Sequence, residues 1–484
     1  MQQHYKDLLA DIWRKNRVHN GPEMDYCVAR LADFCGKHLR GQVIVHDFQP
    51  GDEFNHWIVP PHWAVEHFTL KGPDGKQIAA ANDHPLIVCP YSHSFQGTVS
   101  LAELRDHVIA RADRPHAYSF YFRQMYRHWE PGWKITLPHD VLENLPAGNY
   151  SIDLRTSRSK SPMKVFEYLL PGKTSDTVFI AAHLDHPGMI NDSLSGCLAS
   201  LNIVEALERS FPKTRYTYRV LLVPEIIGTA IYLKHFKNLV RESYFAFCPN
   251  MTSHDAKLAL CLSKNQDSML DLAFQQALRD SIDDHVVAPF HAYPDCGDEI
   301  SFDTVGYDIP ATTLSRIGEQ FTRYHSSDDS LENFLQSDWQ ARHDAYVDKC
   351  TKAFEYLETN VDLSPQFSGN PCLSNPSLGL YLDPVNINNL PSGVSRLTDA
   401  DGNQIDPRNF MEYFLDALGR SQAPSLLEIS WASGLPFEFV ANYAAKFADK
   451  GLVKTVPTRR KRRVAVVGTT NLRVPELLSG KASS

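Results

Sequence analysis

The chain has 484 residues, of which 43% are apolar and 22% charged, and a formal net charge of -9. At roughly 100 to 200 residues per domain, this length implies two or three domains, each with its own core. The composition is that of a globular protein, and the negative balance removes any whole-chain reason to expect a nucleic-acid partner. The opening MQQHYKDLLADIWRKN lacks the apolar core of a signal peptide, and no stretch approaches the roughly 20 apolar residues of a membrane span, so a cytoplasmic protein with no membrane partner is expected. Nine scattered cysteines without a CxxC pair argue against a disulfide framework and against a thiolate metal site.

Residues 3–38 carry apolar side chains at helical spacing (Leu8, Leu9, Ile12, Trp13, then Met24, Cys27, Val28, Leu31, Phe34), which predicts two helices. From Gly41 to Gly132 short β-rich runs such as QVIVHDF, HWAVEHFTL and HAYSFYF alternate with turn signals such as QPGDE and KGPDGK, the pattern of a small all-β module. ENLPAGNYSIDLRT and PMKVFEYLLPGK read as hairpin strands. Strand and helix then alternate: DTVFIAAHLD, SLSGCLASLNIVEALERSF, YTYRVLLVPE, GTAIYLKHF, SYFAFCPNM, SMLDLAFQQALRDSI and YDIPATTLSR. Continuous apolar strands separated by amphipathic helices predict an α/β fold with a mostly parallel sheet and flanking helices, its site at the C-terminal strand ends. A Pro/Asn/Ser/Gly-rich stretch from about Leu363 to Pro407 marks a boundary, beyond which three short helices and the hairpin sequence LVKTVPTRRKRRVAVV have the order of a winged helix. The expected division is 1–40 plus 133–390 for the α/β domain, 41–132 for the inserted β-domain, 391–470 for the winged helix and 471–484 for a tail.

AHLDHPGMINDSLSG, residues 182–196, gathers two histidines, two aspartates and an asparagine just after a buried strand. Imidazole nitrogen and carboxylate oxygen are zinc ligands, and burying so many ionisable groups without an ion is costly. Glu225 lies just past the next apolar strand, where a carboxylate can act as general base toward a water. Asp298, in CGDEISFD, and His325, in RYHSSDDS, are further candidate ligands.

The order His-x-Asp, Asn-Asp with Ser-Gly, Pro-Glu at a strand end, Gly-Asp-Glu and Tyr-His-Ser-Ser-Asp resembles the co-catalytic zinc aminopeptidases. It is most similar to a bacterial aminopeptidase-like family with an inserted β-domain and a C-terminal winged helix, on PGDEFNHWIVPPHW, HLDHPGMINDSLSG and GNPCLSNPSLGLY. The resemblance implies a zinc-exopeptidase-like fold and a metalloprotease-type hydrolase acting on a small peptide, aminoacyl or N-acyl compound. It implies His183 or His186 as first ligand, Asp192 as bridging carboxylate, Asp298 and His325 as further ligands, Glu225 as base and Asp185 as the residue orienting a ligand histidine. Tyr324 and Arg316 are candidates for binding substrate. Relatives of this type carry a second glutamate directly after the base, and here that position is Ile226. One firmly bound zinc, with a second weak or absent, is therefore expected. The family's frequent setting near polysaccharide biosynthesis adds N-deacylation of a carbohydrate as a variant.

The competing function is a catalytically degenerate ligand-binding or regulatory protein whose winged helix contacts DNA or a protein partner. The run Arg459, Arg460, Lys461, Arg462, Arg463 could meet phosphates, but FEFVANYAAKFADK offers only Lys446 and Lys450 as cations, so nucleic acid is not favoured. A homo-oligomer is left open.

Overall fold

The computed structural model describes residues 1–281, 284–293, 297–317, 321–382, 407–419 and 424–464. The chain divides into two compact units, 1–264 with 286–348, and 265–285 with 349–484.

The first unit is built on an eight-stranded mixed sheet. Its strands are β1 (Gln42–Phe48), β2 (Met163–Leu170), β3 (Thr177–His183), β4 (Thr217–Val223), β5 (Ser243–Asn250), β6 (Leu258–Cys261), β7 (His285–Ala288) and β8 (Ala311–Arg316), in the spatial order β1-β2-β4-β3-β5-β8-β6-β7. The central four strands are parallel, while β1, β2 and β6 run antiparallel to their neighbours. The parallel strands are the ones read from sequence as continuous apolar runs, and every residue of β3 is buried. The helices α1 (Gln3–Ile12), α2 (Pro22–His38), α3 (Leu194–Ser210) and α4 (Ile227–His235) lie where the periodicity placed them. Glu167 of β2, 1% exposed, ties the antiparallel edge together: it accepts from Tyr232 Oη (2.8 Å) and Arg219 and meets His46 Nε2 at 2.7 Å.

The β-module differs from its expected limits. Gln42–Phe48 belongs to the large sheet, and Asn149–Ser159, expected to form a hairpin with the following strand, instead joins Gln77–Ala80, His62–Lys71 and Phe95–Ser100 in a four-stranded antiparallel sheet. Strand pairing across about 90 residues leaves no local signal, and the turn residues between 159 and 163 mark a change of sheet. The core of this module centres on Trp63, Phe68, Leu70, Ile135, Tyr150 and Leu154.

The second unit contains α5 (Met269–Asp280), the latter part of α6 (Ser337–Thr359), α7 (Pro407–Leu418), α8 (Leu426–Ser433) and α9 (Phe437–Asp449). Ser425 and Glu428 form a capping box at the start of α8. The sequence reading left α6 unassigned, and its boundary near 390 falls among residues that are not described. The strand Val453–Pro457 pairs with Val361–Pro365, far back in the chain; the wing strand expected to follow it lies largely among residues from 465 onward, outside the described set. The basic run is engaged within this unit. Arg460 bonds Asp362 (2.6 Å) and Glu428, Arg462 bonds Asp267, and the Lys461 carbonyl accepts from Met269.

No helix among the described residues is long and apolar enough to cross a membrane.

Two outcomes are expected. Burial opposes ionisation of Glu167, but His46, Arg219 and Tyr232 outweigh it and lower its pKa from the ordinary 4.5. A carboxylate with a depressed folded pKa stabilises fully above 4.5 and loses that contribution as pH falls through the folded value. Glu167→Gln should therefore cost about 1–3 kcal/mol in urea unfolding at pH 7, and the gap from wild type should narrow below pH 4.5. Arg460→Met takes the cation away from Glu428, 2% exposed, and leaves its carboxylate only the neutral donors of Ser425 and Val464; it should cost on the order of 2 kcal/mol, read as a lowered melting temperature, and an unchanged melting temperature would return the basic run to the solvent-facing reading.

Candidate metal centre

Parallel register brings the site together. His183, the last residue of β3, stands beside Val223, the last of β4, so Glu225 follows two residues beyond the neighbouring strand end. Asn250 closes β5. The loop from Leu184 to Ser193 must then expose polar side chains without leaving its own carbonyls unmet. Arg17, fully buried, does this: its guanidinium donates to the carbonyls of Leu184 (2.8 Å), His186 (2.6 Å) and Met189 (2.8 Å), and to Ile12 and Trp13. Asp329 accepts from the backbone amides of Asn191 (2.8 Å) and Asp192 (2.9 Å). Gly188 (φ +66°) approaches so closely that a Cβ there would lie 2.8 Å from Pro85.

Asp192, 1% exposed, is the centre of the cluster. Its Oδ1 lies 3.1 Å from His183 Nε2, 3.2 Å from His186 Nδ1 and 3.2 Å from Asn250 Nδ2, and its Oδ2 lies 3.1 Å from His325 Nε2. His186 Nε2 faces Glu225 Oε2 at 3.6 Å. Despite these distances, Asp192 Oδ2, His186 Nδ1 and His325 Nε2 are buried without a partner in hydrogen-bonding geometry. Buried polar atoms are normally bonded, so nitrogens and carboxylate oxygens that face one another unbonded are a donor set suited to a cation. Among the described residues, two groups have ligand atoms within 4.8 Å of one another: His183, His186 and Glu225, and His186, Asp192 and His325. These residues fit a zinc ion.

The electrostatics follow from burial against close opposite charge. Burial opposes charging His183 and His186, yet Glu225 and Asp192 outweigh it for the first and Asp192 with Glu225 for the second, so both pKa values are raised. Burial also opposes ionising Asp192, but the imidazoles hold it well below the usual carboxylate range. His325 goes the other way, lowered by burial. Burial pushes Asp298 and Asp329 up to about 7.

Two sequence-selected carboxylates have other surroundings than the resemblance implied. Asp185 accepts from the Glu225 amide (3.0 Å) and faces His19 (3.2 Å), so it braces the strand end that carries Glu225. Burial raises its pKa, but the close His19 ring and the nearby imidazoles bring it down to about 2. Asp298 lies outside both ligand groups: Oδ1 accepts from Ile226 N (2.9 Å) and Thr229 Oγ1 (2.6 Å), and Oδ2 stands 3.8 Å from His183 Nδ1, the side of that ring turned away from Asp192. Arg316 donates to the carbonyls of Thr252 (3.0 Å) and Ala256 (2.7 Å). Tyr324 stacks on His325 with ring centroids 3.8 Å apart, and its carbonyl accepts from Arg111.

Sequence reading missed Asn250, Asp329, Arg17, His19 and Tyr126. Asn250 ends an apolar strand and carried the same signal that found Glu225, and Asp329 lies in the quoted RYHSSDDS. The other three approach from distant segments and left no local signature. Tyr126, with Phe120 and Phe122, forms a wall from the β-module. Phe120 meets the rings of His186 (4.8 Å) and His325 (5.1 Å) edge-on, and Tyr126 Oη donates to Glu225 Oε2 at 2.5 Å. His186, Ile226 and His325 all have positive φ (72°, 60° and 52°), costly for non-glycine residues and most so for a β-branched one.

The chain is a member of the family described as Domain of unknown function (DUF4910), which matches residues 6–360. Over 308 residues it is 24% identical to the "Putative polysaccharide biosynthesis protein with aminopeptidase-like domain" of Clostridium acetobutylicum, covering 63% of this chain and 68% of the relative. Its fold is that of the "putative peptidase" crystal structure from Clostridium acetobutylicum, with a TM-score of 0.74 at 20% identity over 94% of this chain and 96% of that one. The zinc aminopeptidase of Bacillus subtilis matches with a TM-score of 0.52 at 15% identity, over 73% and 94% of the two chains.

Arg17→Met should remove five carbonyl partners at once and destabilise the first unit by about 3 kcal/mol or more in urea unfolding. Releasing the loop that carries His186 should also lower any uptake of zinc offered to the protein; a stable variant with uptake equal to wild type would show that the loop holds itself.

Proposed function

We propose that this chain is a zinc-dependent hydrolase of the aminopeptidase type that cleaves an amide bond in a small peptide, aminoacyl or N-acyl compound. The observation that carries the reading is the buried Asp192 carboxylate met by three imidazoles, with Glu225 beside them. His183, His186, Asp192 and His325 are the residues that would hold the ion. Because His186 belongs to both ligand groups, and Ile226 offers no ligand atom after the base, one firmly held ion is the favoured stoichiometry. When bound, zinc supplies Lewis acidity toward a carbonyl and lowers the pKa of water toward about 7.

The chain's own residues do the rest. Glu225, through Oε2, accepts the proton of the attacking water as its oxygen bonds to the carbonyl carbon, then passes that proton to the leaving nitrogen as the C–N bond breaks, giving a carboxylic acid and an amine. Asp185 holds the Glu225 backbone, and Asp298 stands behind His183. Phe120 and Phe122, from the β-module, pack edge-on against the His325 ring and bound the approach to the cluster. The name of the Clostridium relative makes an N-acylated amino sugar a member of the substrate screen beside dipeptides. The internal pairing of Arg460 and Arg462 supports a packing role for the C-terminal helices over DNA contact.

Protein purified without a histidine tag or chelator should contain about one zinc per chain by elemental mass spectrometry. Glu225→Gln should keep that zinc and lose about 10²- to 10⁴-fold in turnover. No zinc retained after loading would favour a ligand-binding role, and full turnover in the variant would remove Glu225 from the reaction.

A further inference from the structure

Glu225 alone cannot keep its carboxylate aimed at the imidazole cluster. It follows a strand end, its nearest imidazole is His186, and at 3.6 Å that contact is an ion pair without a fixed direction. Three neighbours restrict it. Asp185 holds its backbone amide. Gly297 (φ +79°) packs beside Oε1, where a Cβ would stand 2.8 Å away, so a larger residue there would push the carboxylate aside. The third neighbour comes from the β-module: Tyr126, directly after the short helical turn Arg123–Met125, donates its hydroxyl to Oε2 at 2.5 Å. Tyr126 is held in turn by the His19 ring, edge-on at 5.1 Å, and by Gln124 and Met125, both buried, which anchor the turn that carries it. The segment just before it, Tyr118–Phe120, is stitched to residues beside His325, with Phe120 N donating to the His325 carbonyl (2.9 Å) and Ser327 N to the Tyr118 carbonyl (2.9 Å).

We propose that Tyr126 is a positioning residue for Glu225, through which the β-module completes the candidate site. The inference rests on the hydrolase reading given above. The hydroxyl occupies one direction of Oε2 and leaves the other toward the cluster. Without it, the carboxylate is free to swing onto His186, where it meets an imidazole instead of a water. An enzyme of this kind keeps its ion and its substrate pocket when the hydroxyl is lost, but not its rate. Partners that orient a reacting group in this way are commonly worth about 10- to 100-fold.

Tyr126→Phe, which removes one oxygen and keeps the ring, tests this in the full zinc-loaded chain. The expected result is a kcat lowered about 10- to 100-fold with KM within about twofold and zinc content unchanged. A wild-type kcat overturns the proposal, as does a loss confined to KM, which would make Tyr126 a substrate contact. A second measurement needs no substrate: a double-mutant cycle of Tyr126→Phe with Glu225→Ala, read in the melting temperature of the zinc-loaded protein. If the hydroxyl serves Glu225, Tyr126→Phe lowers the melting temperature less in the Glu225→Ala background; equal effects in both backgrounds overturn the pairing. Should the wild type cleave nothing in the screen, the hydrolase reading fails on its own, and this cycle still decides whether Tyr126 holds Glu225.

Discussion

The first unit is organised around one carboxylate that cannot be left alone. Asp192 is out of water and must stay charged to meet His183, His186 and His325. Burial of such a group is tolerable only if its neighbours are fixed in place, because the gain from opposite charge falls away with small displacements. The surroundings supply that fixity from several parts of the chain: Asp329 from the segment after His325, Asn250 from the end of β5 and Arg17 from the turn between α1 and α2. The N-terminal helices thus do more than cover the sheet, since the turn between them bonds the loop that carries His186.

Much of this fold was legible in the sequence, for a physical reason. Parallel strands covered on both faces need unbroken apolar runs, and a polar residue ending such a run has nowhere to go but the site; β3, β4 and the cluster from His183 to Asp192 were found that way. The same rule applied to β5 would have found Asn250. What stayed hidden depends on pairing at long range. The edge strand β1 and the strand Asn149–Ser159 each carry an ordinary β pattern, and nothing in that pattern says which sheet they join. Arg17 and Tyr126 look like any arginine and any tyrosine until the fold brings five carbonyls to one and a carboxylate to the other. The basic run failed as a signal in the opposite sense, because its cations meet Asp362, Glu428 and Asp267, acids scattered over about 160 residues of sequence.

Some departures from easy backbone geometry fall within the charged cluster itself. His186, Ile226 and His325 take left-handed conformations, and the two histidines among them present their rings to Asp192. Ile226 follows Glu225 and immediately precedes α4, and its amide is spent on Asp298. That bond helps to explain why an unfavourable conformation is retained at a β-branched residue: it keeps Asp298 beside His183 and turns the chain sharply after Glu225. These three strained residues and the ionisable ones around them therefore form a single construction, held by the packing of the sheet beneath.

The second unit is threaded rather than appended. The polypeptide leaves the first unit after Lys264, contributes α5 to the second, returns at Val286 and departs again after Asp348. During synthesis α5 emerges from the ribosome well before its partners: Arg279 must wait for Trp431, and Phe274 for Phe354. A gene that lost everything after residue 348 would not yield a clean first unit, but one bearing an apolar helix with no surface to cover it. Simple fusion or early termination would therefore not add or remove the second unit cleanly, because one of its helices is encoded inside the first.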